Sequence, residues 1–469
     1  MTILRNWCTG QWPVHFCQNR IGRGVAIAAA VMASAPATAA TTATAAMAVT
    51  ASAAAPAPAA AARPGTVGQT VADFYRARRN APLWFGPAAG DSAQQLITLL
   101  SGAGLDGINP ARYQPLALQQ ALATARSGKR KDLERADQIL SQAFAVYVSD
   151  MMRDPGVGIT YVDVQLWPTP PSALATLLQA SAAPSLSEYV RTLGWMHPIY
   201  GQLRAALAQH KYGTDQERAL LELNLKRVRA LPAAKDRYVL VNAAQQRLYM
   251  YDGGKPVDSM VVVVGKPKWA TPMLTAYIRY AALNPYWYVP PDLAGEDVGQ
   301  FVVKQGLPYL DKMGYQVVSD WSADPTIIDP KTVDWKAVVD GKTEVMIRQK
   351  PGPQNFMGRM KFMFPNQFGV YLHDNPRREL FLKSTRYFSG GCVRLEDAAR
   401  LGRWLFGREL DWQSAGPEEP VPLARPVPVY ITYLTAMPDG QSIAFYEDVY
   451  GRDTPRMAVS ATAAGAAAR

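Results

Sequence analysis

The chain has 469 residues, 48% of them hydrophobic and 19% charged, which suits a globular protein of two or three domains and excludes disorder throughout. Its formal net charge of +11 attracts anionic partners. Nucleic acid is not the predicted partner, because the sequence has no zinc-ligand spacing, no aromatic RNA-binding signature and no basic helix. A solvated basic surface with no specific partner would also account for the charge.

Residues 1–39 predict an export signal. Three arginines precede the apolar run 25–32, and small residues around Ala37 offer cleavage sites. The run is too short for a transmembrane helix, so a membrane contact is expected only if the signal stays uncleaved. Residues 40–65 are Ala, Thr and Pro with almost no charge, which predicts a flexible linker.

Residues 66–232 predict a helical domain. Two groups of apolar residues recur at helical spacing and indicate helices packed on one core. The groups are Leu96, Ile97, Leu99 and Leu100, and Ala136, Ile139, Leu140, Ala143, Val146 and Tyr147. His197 and His210 have no metal-ligating partner at suitable spacing and are interpreted as structural or solvated, so neither metal nor cofactor is expected.

Residues 233–456 predict a mainly β domain, because β-branched and aromatic runs begin at Tyr238 and Asp252-Gly253-Gly254 is a turn signal. Residues 291–345 lack sustained periodicity and predict a long functional insertion. The Pro-rich stretch 416–428 predicts a stiff connection. Two final strands, 429–434 and 443–449, are expected to close the domain before a disordered tail, 457–469.

Cysteine counting selects one candidate nucleophile. Cys8 and Cys17 lie in the predicted signal, so the exported chain keeps only Cys392, which then has no disulfide partner. A free Cys can be a buried structural residue. In Ser389-Gly390-Gly391-Cys392, with His373 nearby in sequence, the pattern instead favours a thiol activated by a histidine base.

The backbone around Cys392 also fits catalysis. Glycines permit a sharp turn close to a bound carbonyl, and the amides of Gly391 and Cys392 are predicted to donate to a developing oxyanion. Residues 395–406 have helical apolar spacing with acids in the first turn. We therefore expect Cys392 just before a helix N-terminus, which would favour the thiolate.

His373, Ser389, Gly391, Cys392 and Arg394 together resemble the signature of the L,D-transpeptidases of bacterial cell walls, the YkuD-type family. The resemblance continues through 264–266, 271–272 and 284–290. The helical half resembles the N-terminal scaffold of large multidomain proteobacterial members. The resemblance implies an α+β fold: a helical scaffold domain, then a mainly β YkuD-type catalytic domain whose insertion 291–345 forms a lid over the site.

The resemblance also implies the chemistry. Cys392 attacks a peptidoglycan stem peptide, His373 is the base, and the backbone carbonyl of Asp374 orients the imidazole. Arg394, Arg386, Ser389 and Tyr371 are the candidate substrate-binding residues, with structural ion pairs as the alternative for the two arginines. Peptidoglycan stem peptides are the expected partners, carbapenems the expected inhibitors, and the periplasm the expected location.

One residue departs from the family pattern. Many members have a second histidine where this chain has Gly390, so only His373 remains as a base. The sequence leaves open which L-to-D bond is opened, at diaminopimelate or at L-alanine. The rivals are a sortase-like transpeptidase, disfavoured by the short separation of His373 and Cys392, and a non-catalytic wall-binding scaffold. Papain-like peptidases have the reverse order of Cys and His.

Overall fold

The computed structural model describes residues 66–233, 236–322 and 324–454. The predicted signal (1–39), linker (40–65) and tail (457–469) lie outside these ranges. No helix in the described ranges combines the length and the apolar character needed to span a bilayer. The described residues all belong to one compact unit, which includes both the helical and the β part.

The N-terminal part is helical, as predicted. Its α-helices within the described ranges are α1 Val67–Ala77, α2 Ser92–Ser101, α3 Pro115–Ala125, α4 Arg130–Met151, α5 Ala173–Ser181, α6 Leu186–Arg191, α7 Pro198–Ala208 and α8 Asp215–Val228. The predicted apolar face of α2 is confirmed, because all four of its residues are buried, and the inward face of α4 buries Ala136, Leu140 and Tyr147. At the start of α8, Thr214 and Glu217 form a reciprocal capping box that satisfies the first free amides.

The β part is a closed sheet. Its strands are β1 Thr160–Tyr161, β2 Tyr238–Asn242, β3 Arg247–Asp252, β4 Lys255–Gly265, β5 Leu274–Leu283, β10 Met360–Met363, β11 Leu372–His373, β12 Tyr387–Ser389, β13 Val393–Leu395 and β14 Glu419–Thr432. The order is β1-β5-β10-β11-β13-β4-β3-β2-β14, with β12 beside β4. Because β14 also pairs with β5, the sheet closes into a barrel.

The insertion is an ordered subdomain with its own sheet. Strands β6 Trp287–Val289, β7 Tyr315–Val318, β8 Ile327–Ile328 and β9 Met346–Gln349 run in the order β6-β9-β7-β8. The helices are α9 Pro291–Leu293, α10 Gln300–Gln305, α11 Pro308–Met313 and α12 Trp335–Val339, with a π-helical segment, Ala294–Gly299, before α10. A separate apolar core that includes Val289, Leu310, Trp335 and Ile347 explains why this stretch folds although its sequence shows no long periodicity.

Two predictions near the end of the chain are wrong. The Pro-rich stretch is part of β14. Proline has no N–H to donate, but prolines at alternate positions, 420 and 422 and then 426 and 428, face the same edge of the strand within each pair. The opposite edge keeps its N–H groups and can pair with β5. The predicted strand 429–434 is confirmed as the end of β14, which closes the barrel, but the predicted strand 443–449 does not join it. Strand β16 Ser442–Phe445 instead forms a separate hairpin with β15 Ala436–Asp439. Helix α13, Ala398–Phe406, packs Leu401 and Leu405 on the barrel core.

The helical and β parts share a continuous apolar core, which includes Tyr238, Leu240 and Leu434 of the β part. His197 lies at this junction, where its Nδ1 accepts from the amide of Ile199 and its Nε2 lies 2.8 Å from the Tyr238 hydroxyl. Burial lowers the pKa of His197 to about 3. Its structural assignment fits these contacts.

Candidate active site

The strand register brings three polar side chains into one row. Lys361 of β10 is opposite His373 of β11, and His373 is opposite Arg394 of β13. Side chains alternate between the two faces of a sheet. The next residues along the same strands, Phe362, Leu372 and Val393, therefore point into the barrel core, and the row of Lys361, His373 and Arg394 faces the opposite side.

Cys392 shares that face, since it precedes Arg394 by two residues. It lies in the turn between β12 and β13, where the amide of Val393 donates to the carbonyl of Tyr371 at 3.0 Å. Tyr371 precedes His373 by two residues and so lies on the same face. Separate strands thus bring Cys392, His373, Arg394 and Tyr371 together, as the sequence predicts.

The turn before Cys392 is held by side-chain hydrogen bonds. Ser389 Oγ donates to the carbonyl of Cys392 at 2.5 Å and accepts from the amide of Gly391 at 3.1 Å. Gly391 has φ +119°, a region that favours glycine. Ser389 therefore shapes the turn and is not free to bind substrate.

The two predicted oxyanion donors differ in availability. The amide of Gly391 is already bonded to Ser389 Oγ, which counts against the predicted role of Gly391. The amide of Cys392 has no acceptor among the described residues. It is the better candidate donor of the two.

The thiol environment differs from the expected helix N-terminus. Strand β13 follows Cys392 directly, and α13 begins only at Ala398, so that prediction is wrong. The pairing of Val393–Leu395 with both β11 and β4 overrides the helical spacing. Burial raises the pKa of the Cys392 thiol, and a hydrogen bond from the Tyr371 backbone, Arg394 and Lys361 oppose that rise.

His373 is fixed as a neutral imidazole. It is 2% exposed, and its Nδ1 lies 2.6 Å from the carbonyl oxygen of Asp374, the contact that the resemblance implies. A carbonyl can only accept, so the Nδ1 carries the proton and Nε2 is the basic nitrogen. Burial, then Arg394 and Lys361, lower its pKa to about 3, against the opposing carbonyls of Asp374 and Met357.

The thiol and the imidazole are not hydrogen-bonded to each other. Cys392 Sγ instead donates to the carbonyl of Gly369 at 3.6 Å. Since catalytic contacts often tighten only when substrate binds, proton transfer to His373 requires Sγ to turn away from Gly369.

Arg394 makes no ion pair with any carboxylate in the described part of the chain. Its Nε is buried and has no hydrogen-bond acceptor among the described residues. Burial and the neighbouring Arg377 lower its pKa, whereas Cys392 and Asp297 of the insertion raise it. Because a partly buried cation gains from a counterion or hydrogen-bond acceptor, this side chain is suited to binding an anionic group beside Cys392.

Arg386 does not join the site. Its guanidinium donates to the carbonyls of Lys383 at 2.6 Å and Val262 at 3.3 Å. These bonds tie the segment before β12 to β4, so the predicted role in substrate binding is not supported. The sequence could not distinguish an arginine that holds backbone carbonyls from one that faces a ligand.

Lys361 was not identified from the sequence. It is 5% exposed, and its Nζ lies 2.5 Å from Glu418 Oε1 and 5.6 Å from the centre of the Tyr371 ring. In the sequence, Lys361 is only a polar residue beside Phe362 and Phe364, two buried residues at alternate positions. That alternation does not reveal which residue lies next to Lys361 on the neighbouring strand.

The insertion contacts the turn that carries Cys392. A Cβ at Gly390 would lie 3.1 Å from Leu293 Cδ1, so Leu293 occupies the space beside that glycine. Lys268 pairs with Glu296 at 2.6 Å, and Trp269 Nε1 donates to Asp292 at 3.0 Å. Leu293 of the insertion therefore lies where a side chain at position 390 would begin.

No group of three or more His, Cys, Asp or Glu side chains within the described ranges could hold a metal ion.

Comparison with known proteins gives two family matches. The model described as the L,D-transpeptidase catalytic domain, YkuD, matches residues 236–428. The model described as the Scaffold domain matches residues 69–207. A Haemophilus influenzae protein named "Putative L,D-transpeptidase" is 26% identical over 396 residues, which are 82% of this chain and 78% of that protein.

Two solved structures are also similar. An L,D-transpeptidase from Mycobacterium smegmatis is 15% identical, with a TM-score of 0.21, and the match covers 42% of this chain and 58% of that one. The catalytic domain of an E. faecium L,D-transpeptidase is 17% identical, with a TM-score of 0.19, covering 42% of this chain and 98% of that one. TM-scores this low do not support conclusions from the superposed folds. The similarity to L,D-transpeptidases therefore rests on the sequence matches.

Proposed function

We propose that this chain cross-links peptidoglycan stem peptides through a thioester on Cys392, because residues 236–428 match the L,D-transpeptidase catalytic domain of the YkuD family and residues 69–207 match the Scaffold domain. The observation that carries this proposal is the shared sheet face of Cys392, neutral His373 and unpaired Arg394. These groups supply a nucleophile, a base and an anion-binding cation.

In the acylation step, Nε2 of His373 takes the thiol proton as Sγ attacks the carbonyl carbon of an L-residue joined to a D-residue. The amide of Cys392 stabilises the negative oxygen of the tetrahedral intermediate. The C–N bond then breaks, His373 returns the proton to the departing amine, and a thioester remains.

In the transfer step, the side-chain amine of diaminopimelate in a second stem attacks the thioester. The amine attacks in its neutral form, because an ammonium has no lone pair, and Nε2 of His373 removes the extra proton that the nitrogen carries once the C–N bond has formed. The C–S bond then breaks, and the imidazolium gives this proton to the departing thiolate of Cys392. A neutral base is required in both steps, and the lowered pKa of His373 supplies one.

Arg394 is the proposed site for a carboxylate of the stem. Its partly buried guanidinium lies within electrostatic reach of Cys392, and a guanidinium can bind a carboxylate through two parallel hydrogen bonds. We propose that carbapenems, which carry a carboxylate, acylate the same thiol. We also propose a periplasmic location, on the strength of the predicted signal at residues 1–39.

Both possible donors, the L-centre of diaminopimelate and L-alanine, offer an L-to-D bond to the same groups. Mass spectrometry of cross-linked fragments made by the purified enzyme tests the proposal. It also distinguishes a link between two diaminopimelate residues (3-3) from a link between L-alanine and diaminopimelate (1-3). Failure to form any cross-link from stem peptides, together with failure of a carbapenem to acylate Cys392, would favour the non-catalytic scaffold instead.

A further inference from the structure

A single threonine hydroxyl holds the peptide unit that contains the candidate oxyanion donor. Thr271 is fully buried, and its Oγ1 donates to the carbonyl of Gly391 at 2.8 Å. The same oxygen accepts from the amide of Gly265 at 2.9 Å, so its own proton is directed to Gly391. In a planar trans peptide the C=O and the N–H point in opposite directions. Fixing the carbonyl of Gly391 therefore fixes the direction of the Cys392 N–H.

Thr271 and Gly265 are in turn held by residues 446–453, here called the strap. Arg452 donates to the carbonyl of Thr271 at 2.9 Å, and the hydroxyl of Tyr450 donates to the carbonyl of Gly265 at 2.7 Å. The ring of Tyr450 stacks on Tyr433, with 5.1 Å between centroids. The strap thus contacts Thr271 itself and Gly265, which is one of the two residues bonded to the Thr271 hydroxyl.

The strap is attached to the helical domain. Asp453 pairs with Arg227 of α8 at 2.6 Å, and the two side chains are 4% and 0% exposed. Arg227 also donates to the carbonyl of Arg452 at 3.1 Å. Arg227 and the strap lie outside both matched family regions, which are residues 69–207 and 236–428.

We propose that Thr271 is a positioning residue for the oxyanion donor of Cys392, and that the strap, anchored on α8, holds Thr271 in place. The inference rests on the proposed function, because it concerns the oxyanion formed during thioester chemistry. It gives the helical domain a direct physical connection to the reacting atoms through Arg227, Asp453, Arg452 and Thr271.

Two reactions of the same thiol separate this role from folding and from thiol activation. Acylation of Cys392 by a carbapenem passes through a tetrahedral oxyanion, whereas alkylation by iodoacetamide displaces iodide and forms none. Mass spectrometry of the digested full-length enzyme, which resolves the Cys392 peptide from those of Cys8 and Cys17, gives both rates. A misdirected Cys392 amide should slow the first reaction and leave the second unchanged.

We expect Thr271→Val to slow acylation by about 10²-fold, the usual effect of losing one oxyanion donor, with the alkylation rate within about twofold of wild type. Thr271→Ser keeps the hydroxyl and should recover most of the acylation rate. A parallel loss of both rates in Thr271→Val, or no loss in either, would overturn the proposal.

A milder pair of variants tests the strap even if Thr271→Val fails to fold. Tyr450→Phe removes only the hydroxyl that holds Gly265, and we expect it to slow acylation about tenfold without changing alkylation. Tyr446→Phe is the matched control, because the Tyr446 hydroxyl accepts from Gln245 and does not contact Thr271 or Gly265. Equal acylation rates in the two variants would exclude the strap from positioning.

The same measurements keep this inference distinct from the proposed function. If wild-type Cys392 is alkylated but never acylated, the thioester mechanism itself fails. If wild type is acylated normally and the Thr271 and Tyr450 variants match it, only the positioning role fails.

Discussion

At the scale of single residues, the site combines a protonated thiol with a neutral imidazole. Burial raises the pKa of Cys392 and lowers that of His373 to about 3. A preformed thiolate and imidazolium pair is therefore disfavoured in the free enzyme. The proton must move to His373 as the sulfur attacks, and this makes the histidine a general base and not merely a counterion.

Cys392→Ala should abolish both carbapenem acylation and cross-linking, because it removes the nucleophile. The protein should stay folded, since the change deletes one sulfur atom from a partly exposed side chain. Cross-linking assays and thermal unfolding of the same preparation check the two expectations. More than trace cross-linking by the variant would contradict a covalent mechanism.

His373→Ala should slow acylation by a carbapenem near neutral pH, because the thiol loses its base. The rate should recover partly as the pH rises and thiolate forms unaided. Transfer to the amine acceptor should recover less, because alkaline solvent does not replace a positioned base. Acylation followed by intact-protein mass across pH decides the matter, and identical rates near neutral pH would show that another group activates the thiol.

The principal residues of the site could be predicted because Cys392 and His373 are rare and chemically distinctive. Lys361 and Thr271 could not, because their roles depend on which strand lies beside them. The sequence left the role of Arg386 open between substrate binding and structure for a related reason. Its backbone partners come from Lys383 nearby and Val262 far away in sequence, and no local pattern reveals the second.

At the scale of secondary-structure elements, the register of β10, β11 and β13 sets the electrostatics. It lines up one cation on each side of His373, and both cations lower the pKa of the imidazole and of the thiol. The strands thus keep the base neutral and ease thiolate formation through the same two charges.

Lys361→Met should raise the pKa of both His373 and Cys392, because it removes one of these cations. The double variant Lys361→Met with Glu418→Gln is the better test, since Glu418 would otherwise lose its partner and complicate the result. NMR titration of the imidazole and the pH dependence of iodoacetamide alkylation measure the two shifts. Unchanged titrations would mean that Arg394 alone sets the local field.

Several elements could be predicted from local pattern, and others depended on tertiary pairing. The faces of α2 and α4 followed from their spacing, because helical hydrogen bonds are local. The Pro-rich first part of β14 did not look like a strand, yet it pairs with β5, whereas the last part, which pairs with β2 as well, was predicted as a strand. Leu395–Phe406 looked helical throughout, but pairing with β4 keeps Leu395 in a strand.

At the scale of the whole molecule, two buried neutral histidines make the folded state sensitive to acid. The pKa values of His197 and His373 are about 3, below the unfolded value of about 6.5. Between these values the unfolded chain binds more protons than the native protein. The contribution of these two histidines to the free energy of unfolding is therefore fully present above about pH 6.5 and decreases as the pH falls toward 3.

Each histidine should contribute a slope of up to about 1.4 kcal/mol per pH unit to the free energy of unfolding across that window. Urea unfolding of the full chain between pH 7 and pH 5 measures the total. His197→Gln and His373→Gln should each remove part of the slope. A slope unchanged in both variants would assign the acid sensitivity to carboxylates.

The closure of the barrel by β14 has a consequence for biosynthesis. Val429 pairs with Val239, about 190 residues earlier, and the same strand pairs with β5 on its other side. The helices of the N-terminal domain make local contacts and can form as they emerge from the ribosome, whereas the sheet stays open until β14 has been translated. During that interval the edges of β2 and β5 are unpaired and open to association with other chains. Secretion in an unfolded state, or shielding by a holdase chaperone, would carry the polypeptide safely through this period.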